Sequence, residues 1–558
     1  MQKSLLGVLL PVCLTVLGIV ALVIWAGTGP IPQVQARVPG LDKAPALGPA
    51  KTIKRPVLGD PVYGNGKPSD LSGAWPWFRG TDHDAICKDG IPLARQWPQG
   101  GPEKLWTAQL GDGYAAAAIS AGRVYVLDHA TDEPVDLLRS LSSSDRETLA
   151  AVLSSTTPDK FDSTEHILRR LFPNKGSDPD DPLRGVTENE FVALKMTLHT
   201  LLVDRRDQLI NAVRRDMLDD IDRSADTMRC FSLDDGKEIW RNSYPVIVPR
   251  NHGRSRTIPA VWGKYLISIG PQCQVACWDA DTGEGLWLID LVLDYGATVP
   301  PWYTGQCPLI DEKTDRLIIA PGGKALLIAV DYKTGKVIWE SPNPHTWTMT
   351  HVSIMPMEYA GRRMYVYCGK GGVAGVAADT GEILWETTQW KIDMATCPSP
   401  VVAGEGKIFF CGGYNAGSLM LEIQENGGKF SCKTLFRLSA RQFSSEQQTP
   451  VLYDGHLYGV RQQDKRLVCL DLEGNESWNS GRDKFGSAPY MIADGLIFAL
   501  NDDGLLTVAE AAPQGYKPLA RAQVIEDGYE CWGPMAMAAG RLIVRDIIRM
   551  VCLKVSEK

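Results

Sequence analysis

DTGEGLW (Asp281–Trp287), KTGKVIW (Lys333–Trp339) and DTGEILW (Asp379–Trp385) are three copies of one motif, a glycine-containing turn followed by a tryptophan. DDGKEIW (Asp234–Trp240) is a fourth copy, and the shortened LEGNESW ends at Trp478. The glycine suits a tight turn that needs a positive φ angle, and a tryptophan can fill the space between neighbouring sheets. We therefore predict one structural role for all five tryptophans: Trp240, Trp287, Trp339, Trp385 and Trp478.

The other half of the repeat is a proline that begins an apolar strand. Proline is tolerated there because the first residue of a strand needs no donor for the ladder. The copies are Pro259, Pro308, Pro356, Pro400, Pro450, Pro489 and Pro534. Their mean spacing of about 46 residues fits a propeller blade of four short strands.

An eighth copy of the repeat is split. AAAAISAGRVYVLD (Ala115–Asp128) supplies its first two strands, and MRCFSLDDGKEIW (Met228–Trp240) supplies the other two. The last copy lacks a fourth strand, which EKLWTAQL (Glu103–Leu110) can provide, with Leu105 and Trp106 pointing inward. Such closure removes a free sheet edge. The sequence therefore predicts an all-β, eight-bladed β-propeller over residues 75–558, closed by an N-terminal strand.

The segment that splits the first blade, residues 133–226, has helical spacing of its apolar residues. Ser144–Glu147 and Thr187–Glu190 match capping boxes, so we predict a helical insertion. In a four-stranded meander, the loop between strands two and three lies on the same face as the loops between blades. A lid or partner-docking role and a tolerated surface insertion both stay open.

The N-terminus contains an uncharged stretch from Leu5 to Ala26, long enough to cross a bilayer as a helix. We predict a transmembrane anchor or signal over residues 1–26, with a cleaved signal peptide as the alternative. Residues 27–74, rich in Pro and Gly, are predicted to be a flexible tether. Either reading gives a membrane-anchored or exported protein on the periplasmic or extracytoplasmic side.

The motif copies that end at Trp287, Trp339 and Trp385 resemble the quinoprotein-like (PQQ-like) propeller repeat, over roughly residues 100–555. This group includes quinone-dependent alcohol dehydrogenases and the outer-membrane assembly protein BamB. WPWFRG (Trp75–Gly80) also resembles the leading segment of bacterial families in this group. The resemblance implies the propeller fold, but its residues are structural and carry little information on function.

The sequence offers few residues for catalysis. It has no CxxCH haem motif and no adjacent cysteine pair, which the quinone alcohol dehydrogenases use beside their cofactor, and their calcium ligands cannot be assigned. Neither a Ser/His/Asp set nor a metal-binding histidine spacing is evident. We therefore predict no catalytic residue, no metal and no cofactor, with pyrroloquinoline quinone (PQQ) disfavoured. The net charge of −8 argues against a nucleic-acid partner.

The cysteines fit structural positions in the repeat. Cys230, Cys277, Cys469 and Cys552 are predicted to share one strand position, which Ala329 and Val376 hold in other blades. Cys307 and Cys397 are expected beside the prolines that begin strands. One or two disulfides are left open.

The loops between blades are the remaining candidate site, because they mix aromatic, basic and polar residues on one face. Such a rim suits recognition of a protein, peptide or saccharide partner. The candidate ligand-binding residues are His252, Arg254, Arg256, Trp302, His345, Trp347, His351, Arg441 and Glu446. We expect a membrane-tethered binding or scaffolding module; a PQQ-dependent dehydrogenase and a hydrolase or lyase on the propeller face are the alternatives.

Overall fold

The computed structural model describes residues 55–130, 224–248 and 253–557. The predicted N-terminal anchor, His252 and almost all of the predicted helical insertion lie outside these residues. Within the described ranges, no helix has the length and apolar character that a membrane crossing requires.

The described residues form the eight sheets of a β-propeller, as predicted, and apart from the parallel pair of β2 with β28 all of their strand pairs are antiparallel. One short helix, α1 (Leu291–Tyr295), lies between blades two and three. The strands, in chain order, are β1 (Val62–Tyr63), β2 (Ile86–Cys87), β3 (Glu103–Gln109), β4 (Ala118–Ser120), β5 (Arg123–Ala130), β6 (Ala225–Ser232), β7 (Glu238–Pro245), β8 (Ala260–Trp262), β9 (Tyr265–Ile269), β10 (Gln274–Asp279), β11 (Gly285–Asp290), β12 (Leu309–Asp311), β13 (Arg316–Ile319), β14 (Ala325–Asp331), β15 (Lys336–Pro342), β16 (Met355–Tyr359), β17 (Arg362–Gly369), β18 (Gly372–Ala377), β19 (Ile383–Thr387), β20 (Val401–Val402), β21 (Lys407–Gly412), β22 (Gly417–Asn426), β23 (Lys429–Leu438), β24 (Val451–Tyr453), β25 (His456–Val460), β26 (Leu467–Leu470), β27 (Glu476–Asn479), β28 (Tyr490–Ala493), β29 (Leu496–Leu500), β30 (Leu505–Glu510), β31 (Pro518–Gln523), β32 (Ala536–Ala538), β33 (Arg541–Arg545) and β34 (Arg549–Lys554).

Each blade is a meander whose neighbouring strands pair in chain order. Blades one to seven comprise β4–β7, β8–β11, β12–β15, β16–β19, β20–β23, β24–β27 and β28–β31. Blade eight comprises β32–β34 and takes β3 as its outer strand. The second and third strands of the blades are almost wholly buried, because both of their faces pack against neighbouring blades.

The N-terminal strand closes the ring, as predicted. β3 pairs with β34 from Glu103↔Lys554 to Gln109↔Arg549. Trp106 is buried opposite Cys552, whereas a bulge at position 105 leaves Leu105 only half-buried. The closed ring therefore has a paired outer strand in every blade.

The repeat tryptophans lock one blade to the next. The Trp240 indole donates to the carbonyl of Ala280 in blade two at 3.1 Å. Its ring lies against Gly283, whose φ is +76°, and a Cβ at this glycine would come within 2.5 Å of the ring. The turn glycine is thus required both for its left-handed backbone and for the space that the tryptophan fills. Equivalent indole-to-carbonyl bonds join Trp106 to Leu233, Trp287 to Tyr332, Trp339 to Ala378 and Trp478 to Ala512.

The repeat tryptophans differ from the prediction in two details. Trp385 contacts Met364 of its own blade, because blade five replaces the short turn by the long β22–β23 hairpin. Trp287 and Trp339 are half-buried, whereas Trp240 is fully buried.

The small residue opposite the tryptophan was misassigned in blade four. Gly375, and not Val376, faces Trp385, because a bulge shifts the register between these two positions. The positions opposite the tryptophans in other blades are Cys230, Cys277, Ala329, Cys469 and Cys552, as predicted. All cysteines within the described residues are free thiols.

In five blades the repeat proline immediately precedes the inner strand. Pro356 is instead the second residue of β16, and Pro534 lies two residues before β32. Hydrogen bonds link the starts of the inner strands from one blade to the next. In four consecutive blades, the side chain two residues before the inner strand accepts from a backbone N–H of the preceding blade. These side chains are Cys307, Ser353, Ser399 and Thr449. Cys307 fits the predicted structural place, whereas Ser399 takes the place expected for Cys397.

The first described residues are docked on the propeller and extend the fold further than predicted. β1 pairs with the outer strand of blade one, Val62↔Arg241 and Tyr63↔Trp240, and Ser69 donates to the Gly122 carbonyl. Within the described residues, the chain from Gly59 to Ser69 is therefore hydrogen-bonded to blade one.

Residues 75–87, which we call the plug, cross the inside of the ring. Trp75 exchanges two backbone hydrogen bonds with Ile119 of blade one, and Pro76 accepts from Val261 of blade two. Arg79 then donates to two carbonyls where blade six begins, and β2 pairs in parallel with β28 of blade seven. The plug thus spans the channel between distant blades.

Candidate functional site

A cavity of about 300 Å³ opens on the face that carries the loops between blades. Its walls come from those loops, and Trp75, Phe78, Arg79 and Ala85 of the plug form its floor. The central channel is therefore a blind funnel at this end. Its other lining residues include Tyr114, Arg256, Trp302, His351, Cys397, Tyr414, Gln448 and Trp532.

Two pairs of aromatic rings wall the cavity. The rings of Trp302 and Tyr414 are nearly parallel, at 6° and 6.5 Å between centroids. Tyr114 stacks on Trp532 at 5.3 Å. Rings at these distances are within the range of favourable aromatic contact.

The Trp302–Tyr414 wall is built on strained backbone. Trp302 and Tyr303 have φ of +60° and +72°, and Tyr414 and Asn415 have φ of +55° and +65°. Bulky residues rarely adopt this region, and such strain clusters at ligand-binding sites. Tyr414 is also 40% exposed, although it is a large apolar side chain.

Arg256 brings an unsatisfied positive charge to the cavity. Its guanidinium lies 5.0 Å from the ring centre of Tyr114, which is a cation–π distance. Its Nε and Nη2 are buried and hydrogen-bond to no described residue. Burial lowers the pKa of Arg256, and the Tyr114, Cys397 and Glu530 groups oppose that shift.

The other arginine at the cavity, Arg79, is fully engaged. It donates to the carbonyls of His83, Asp84, Thr449 and Pro450 at 2.9–3.0 Å. Burial lowers its pKa to about 10, so it stays charged at neutral pH. Arg79 therefore fixes the plug, and its donors are not available to a ligand.

The acids near the cavity also have partners. Glu530 accepts from the Tyr114 hydroxyl, and burial followed by this carboxylate raises the pKa of Tyr114. Asp502 accepts from the Trp532 indole and from the Ser487 backbone, both at 2.8 Å. These carboxylates hold the aromatic wall in position.

His351 is a neutral wall residue at physiological pH. Burial, and then the charge of Arg256, lowers the pKa of His351 to about 3. The ring centroids of His351 and Trp302 are 6.5 Å apart. A Cβ added at Gly305 would come within 2.9 Å of the His351 Cβ, so His351 packs closely against this glycine. It therefore supplies shape and a hydrogen-bonding ring, but no charge.

The structure brings three of the nine predicted rim residues to the cavity: Arg256, Trp302 and His351. Arg254 is buried in an ion pair with Asp112 at 3.0 Å. Glu446 accepts from Lys465 at 3.0 Å, behind the Gln447 and Gln448 wall.

Three further predicted rim residues, Trp347, His345 and Arg441, do not line the cavity. Trp347 is buried against Gly371, where a Cβ would come within 2.4 Å of the ring. His345 stacks on Trp347 and bonds Glu386 at 2.7 Å, and Arg441 is exposed. His252 lies outside the described residues.

Tyr114, Tyr414 and the plug residues line the cavity although the sequence did not predict them there. Tyr414 lies between the second and third strands of blade five, a connection already predicted to share the face of the inter-blade loops. The aromatic run at Trp75–Phe78 precedes the first blade, and nothing in its spacing places it inside the ring.

The described residues do not fit the calcium-bound quinone that the family resemblance implies. They contain no group of three His, Cys, Asp or Glu side chains that could hold a metal ion. Cys307 and Cys397, the two thiols at the cavity, are ninety positions apart in sequence and both free. The absence of a quinone stays a prediction.

A hydrogen-bonded Ser–His–Asp set does exist, contrary to the sequence analysis. His129 Nδ1 lies 2.7 Å from Asp226 Oδ1, and its Nε2 lies 2.7 Å from Ser224 Oγ. The Ser224 hydroxyl donates to the Val246 carbonyl, Tyr244 donates to Asp226, and the His129 and Asp226 side chains have no exposed surface. The serine proton is thus directed away from the histidine, and the set joins β5, β6 and β7.

The comparisons with known proteins agree with the repeat type. The family model described as "Outer membrane protein assembly factor BamB" matches residues 224–480. No curated protein matches the chain significantly.

The solved structures found to be similar to the chain are remote from it, in sequence and by TM-score. BamB from Moraxella catarrhalis is 14% identical, with a TM-score of 0.41, covering 58% of this chain and 91% of its own. A europium-containing methanol dehydrogenase is 11% identical, with a TM-score of 0.37, covering 85% and 89%. Quinohemoprotein alcohol dehydrogenase from Comamonas testosteroni is 13% identical, with a TM-score of 0.35, covering 87% and 81%.

Proposed function

We propose that this chain, a β-propeller of the quinoprotein-like repeat family, is a binding protein that takes its ligand into the blind funnel between its inter-blade loops. We further propose that it works as a membrane-tethered module on the extracytoplasmic side, with a protein, peptide or saccharide partner. The tether rests on the uncharged Leu5–Ala26 stretch.

One observation carries the binding proposal: Arg256 lines a cavity walled by aromatic rings, and two of its guanidinium nitrogens are buried without a partner among the described residues. A buried donor without a partner costs about 1–3 kcal/mol, and more when it is charged. A ligand that accepts from this guanidinium recovers that cost on binding. Pockets that combine apolar walls with a few convergent polar groups are typical binding sites.

The plug closes the channel beneath the cavity, which favours binding of a ligand there over its passage through the ring. Arg79 holds the plug to blade six through two carbonyls, and β2 adds a parallel pair with blade seven. A ligand that enters from the loop face therefore meets a fixed surface at the bottom of the funnel.

Site-specific photo-cross-linking tests the proposal. The photoreactive residue p-benzoylphenylalanine replaces Trp302 in one variant and Ile338 in another, and each purified variant is irradiated in envelope extract. Ile338 is the matched control because it is 47% exposed on β15, the outer strand of blade three. We expect adducts at position 302 that are absent at position 338. Adducts at position 338 alone, or none at either, would contradict the proposal.

A further inference from the structure

We infer that the funnel recognises a flat group bearing a single carboxylate, with Arg256 binding the carboxylate and Trp302 and Tyr414 contacting the flat face; this inference rests on the proposed function. The shared chemistry occurs in small aromatic acids and in peptides that end in an aromatic residue with a free carboxylate.

The sign of the ligand charge follows from the pairing of the cavity's own charges. Arg79 is saturated by four carbonyls, and Glu530 is bonded to Tyr114. Arg256 alone, among the described charged residues that line the cavity, retains buried donors without a partner. A carboxylate is the planar acceptor that suits two guanidinium nitrogens at once.

The number of charges on the ligand follows from the same pairing of the cavity's own charged groups. Among the described residues that line the cavity, Arg256 is the only cation with free donors. The carboxylates Glu530 and Glu446 lie close enough to influence the Tyr114 and Tyr414 hydroxyls at the cavity. A ligand with two or three carboxylates would leave the additional ones desolvated beside these acids, which is costly. A monoanion therefore fits best.

The flat shape follows from the aromatic wall. Trp302 and Tyr414 come from blades that are not adjacent, yet their rings are parallel within 6°. Their positive φ angles show that the surrounding structure holds them there against a backbone preference. His351, kept neutral in the wall, adds a further ring beside Trp302 without a competing charge.

Isothermal titration calorimetry of the full-length protein with matched probes tests the inference. The small-molecule arm compares phenylacetate with phenylacetamide, and the peptide arm compares one peptide ending in Phe as the free acid and as the amide. We expect the acid of at least one arm to bind at least about 10-fold tighter than its amide, because a charge-assisted hydrogen bond contributes about 1.5–3 kcal/mol. The arm with the tighter acid identifies the source.

Three variants assign the effect to the site. Arg256→Gln should lose about 10- to 100-fold in affinity for the acid and leave the amide unchanged, and Tyr414→Leu should weaken acid and amide alike. Arg441→Gln, an exposed rim arginine outside the cavity, should bind as the wild type does. Melting curves of each variant confirm that it is folded.

Two results would overturn the inference. Equal binding of acid and amide, or an Arg256→Gln variant that keeps the preference for acids, would show that the guanidinium does not read a carboxylate. Tighter binding of PQQ, a flat tricarboxylate, than of the monoacids would contradict the single charge. If either result is obtained while adducts form at position 302, this inference fails and the proposed function stands. If either result is obtained and no adduct forms at position 302, both the inference and the proposed function fail.

Discussion

The substitution Gly283→Ala tests the lock between blades most sharply. A methyl group here would come within 2.5 Å of the Trp240 ring, and the φ of +76° is one that alanine resists. Gly263 in the same blade is a matched control, because its φ is +57° and a methyl group added there would meet no atom within 4 Å. The two glycines share the backbone penalty and differ in the steric one.

The expected magnitudes follow from these two contributions. Gly263→Ala should cost only the left-handed backbone penalty, about 1 kcal/mol. Gly283→Ala should cost that amount and a further 1–3 kcal/mol for overpacking against Trp240, about 2–4 kcal/mol together. Trp240→Ala should cost about 3–5 kcal/mol because the ring is fully buried. In the Trp240→Ala background, Gly283→Ala should cost no more than Gly263→Ala does.

Urea unfolding followed by circular dichroism provides the four free energies of this double-mutant cycle. The coupling between Gly283 and Trp240 should be about 1–3 kcal/mol. Equal costs for Gly283→Ala and Gly263→Ala in the wild-type background, or an unchanged cost of Gly283→Ala after removal of Trp240, would refute the lock.

Further outcomes are expected. A chain that begins at Ala115 should lose cooperative melting because blade eight would lack β3, and an unchanged melting temperature would exclude this closure. Replacing residues 131–223 with a short Gly/Ser turn should keep the β signal and cooperative melting, since β5 and β6 already pair up to Ala130↔Ala225; a failure to fold would mean that the segment supports the ring. Protein incubated with PQQ and calcium should show no stoichiometric quinone absorbance after gel filtration, and a retained cofactor spectrum would overturn that expectation. Stability should fall as the pH drops from about 6.5 towards 4, because burial lowers the pKa of His83 to about 4 and the unfolded chain then binds the extra proton; His83→Gln should flatten this dependence, and an equal slope in both proteins would exclude His83 as its source.

The architecture could be predicted because the repeat records it in local sequence. A proline about every 46 residues and a turn glycine with a tryptophan in most copies define the blade. The missing fourth strand of the last copy points to the strand that contains Trp106. Register was harder: the bulge beside Gly375 moved the position opposite Trp385 by one residue. Such a shift depends on how the blades pack and leaves no mark in the spacing.

From the sequence, the site could be predicted only to lie on the face of the propeller that carries the inter-blade loops. The inter-blade loops indeed line the funnel, but loop membership did not distinguish Arg256, which faces the cavity, from Arg254, which is paired with Asp112. Contacts between distant segments decide that difference. The floor was not predictable for the same reason, since Arg79 meets its carbonyl partners in blade six across 370 positions of sequence.

Hydrogen–deuterium exchange with and without the cross-linked or titrated ligand tests the central claim, that ligands bind in the blind funnel. We expect slower exchange in the plug and around the funnel, in residues 301–306, 413–416 and 529–533. The exchange of residues 312–315, which form a turn on the opposite face, should not change when the ligand is added. Protection confined to that face or to the outer strands, with none around the funnel, would show that the ligand binds elsewhere.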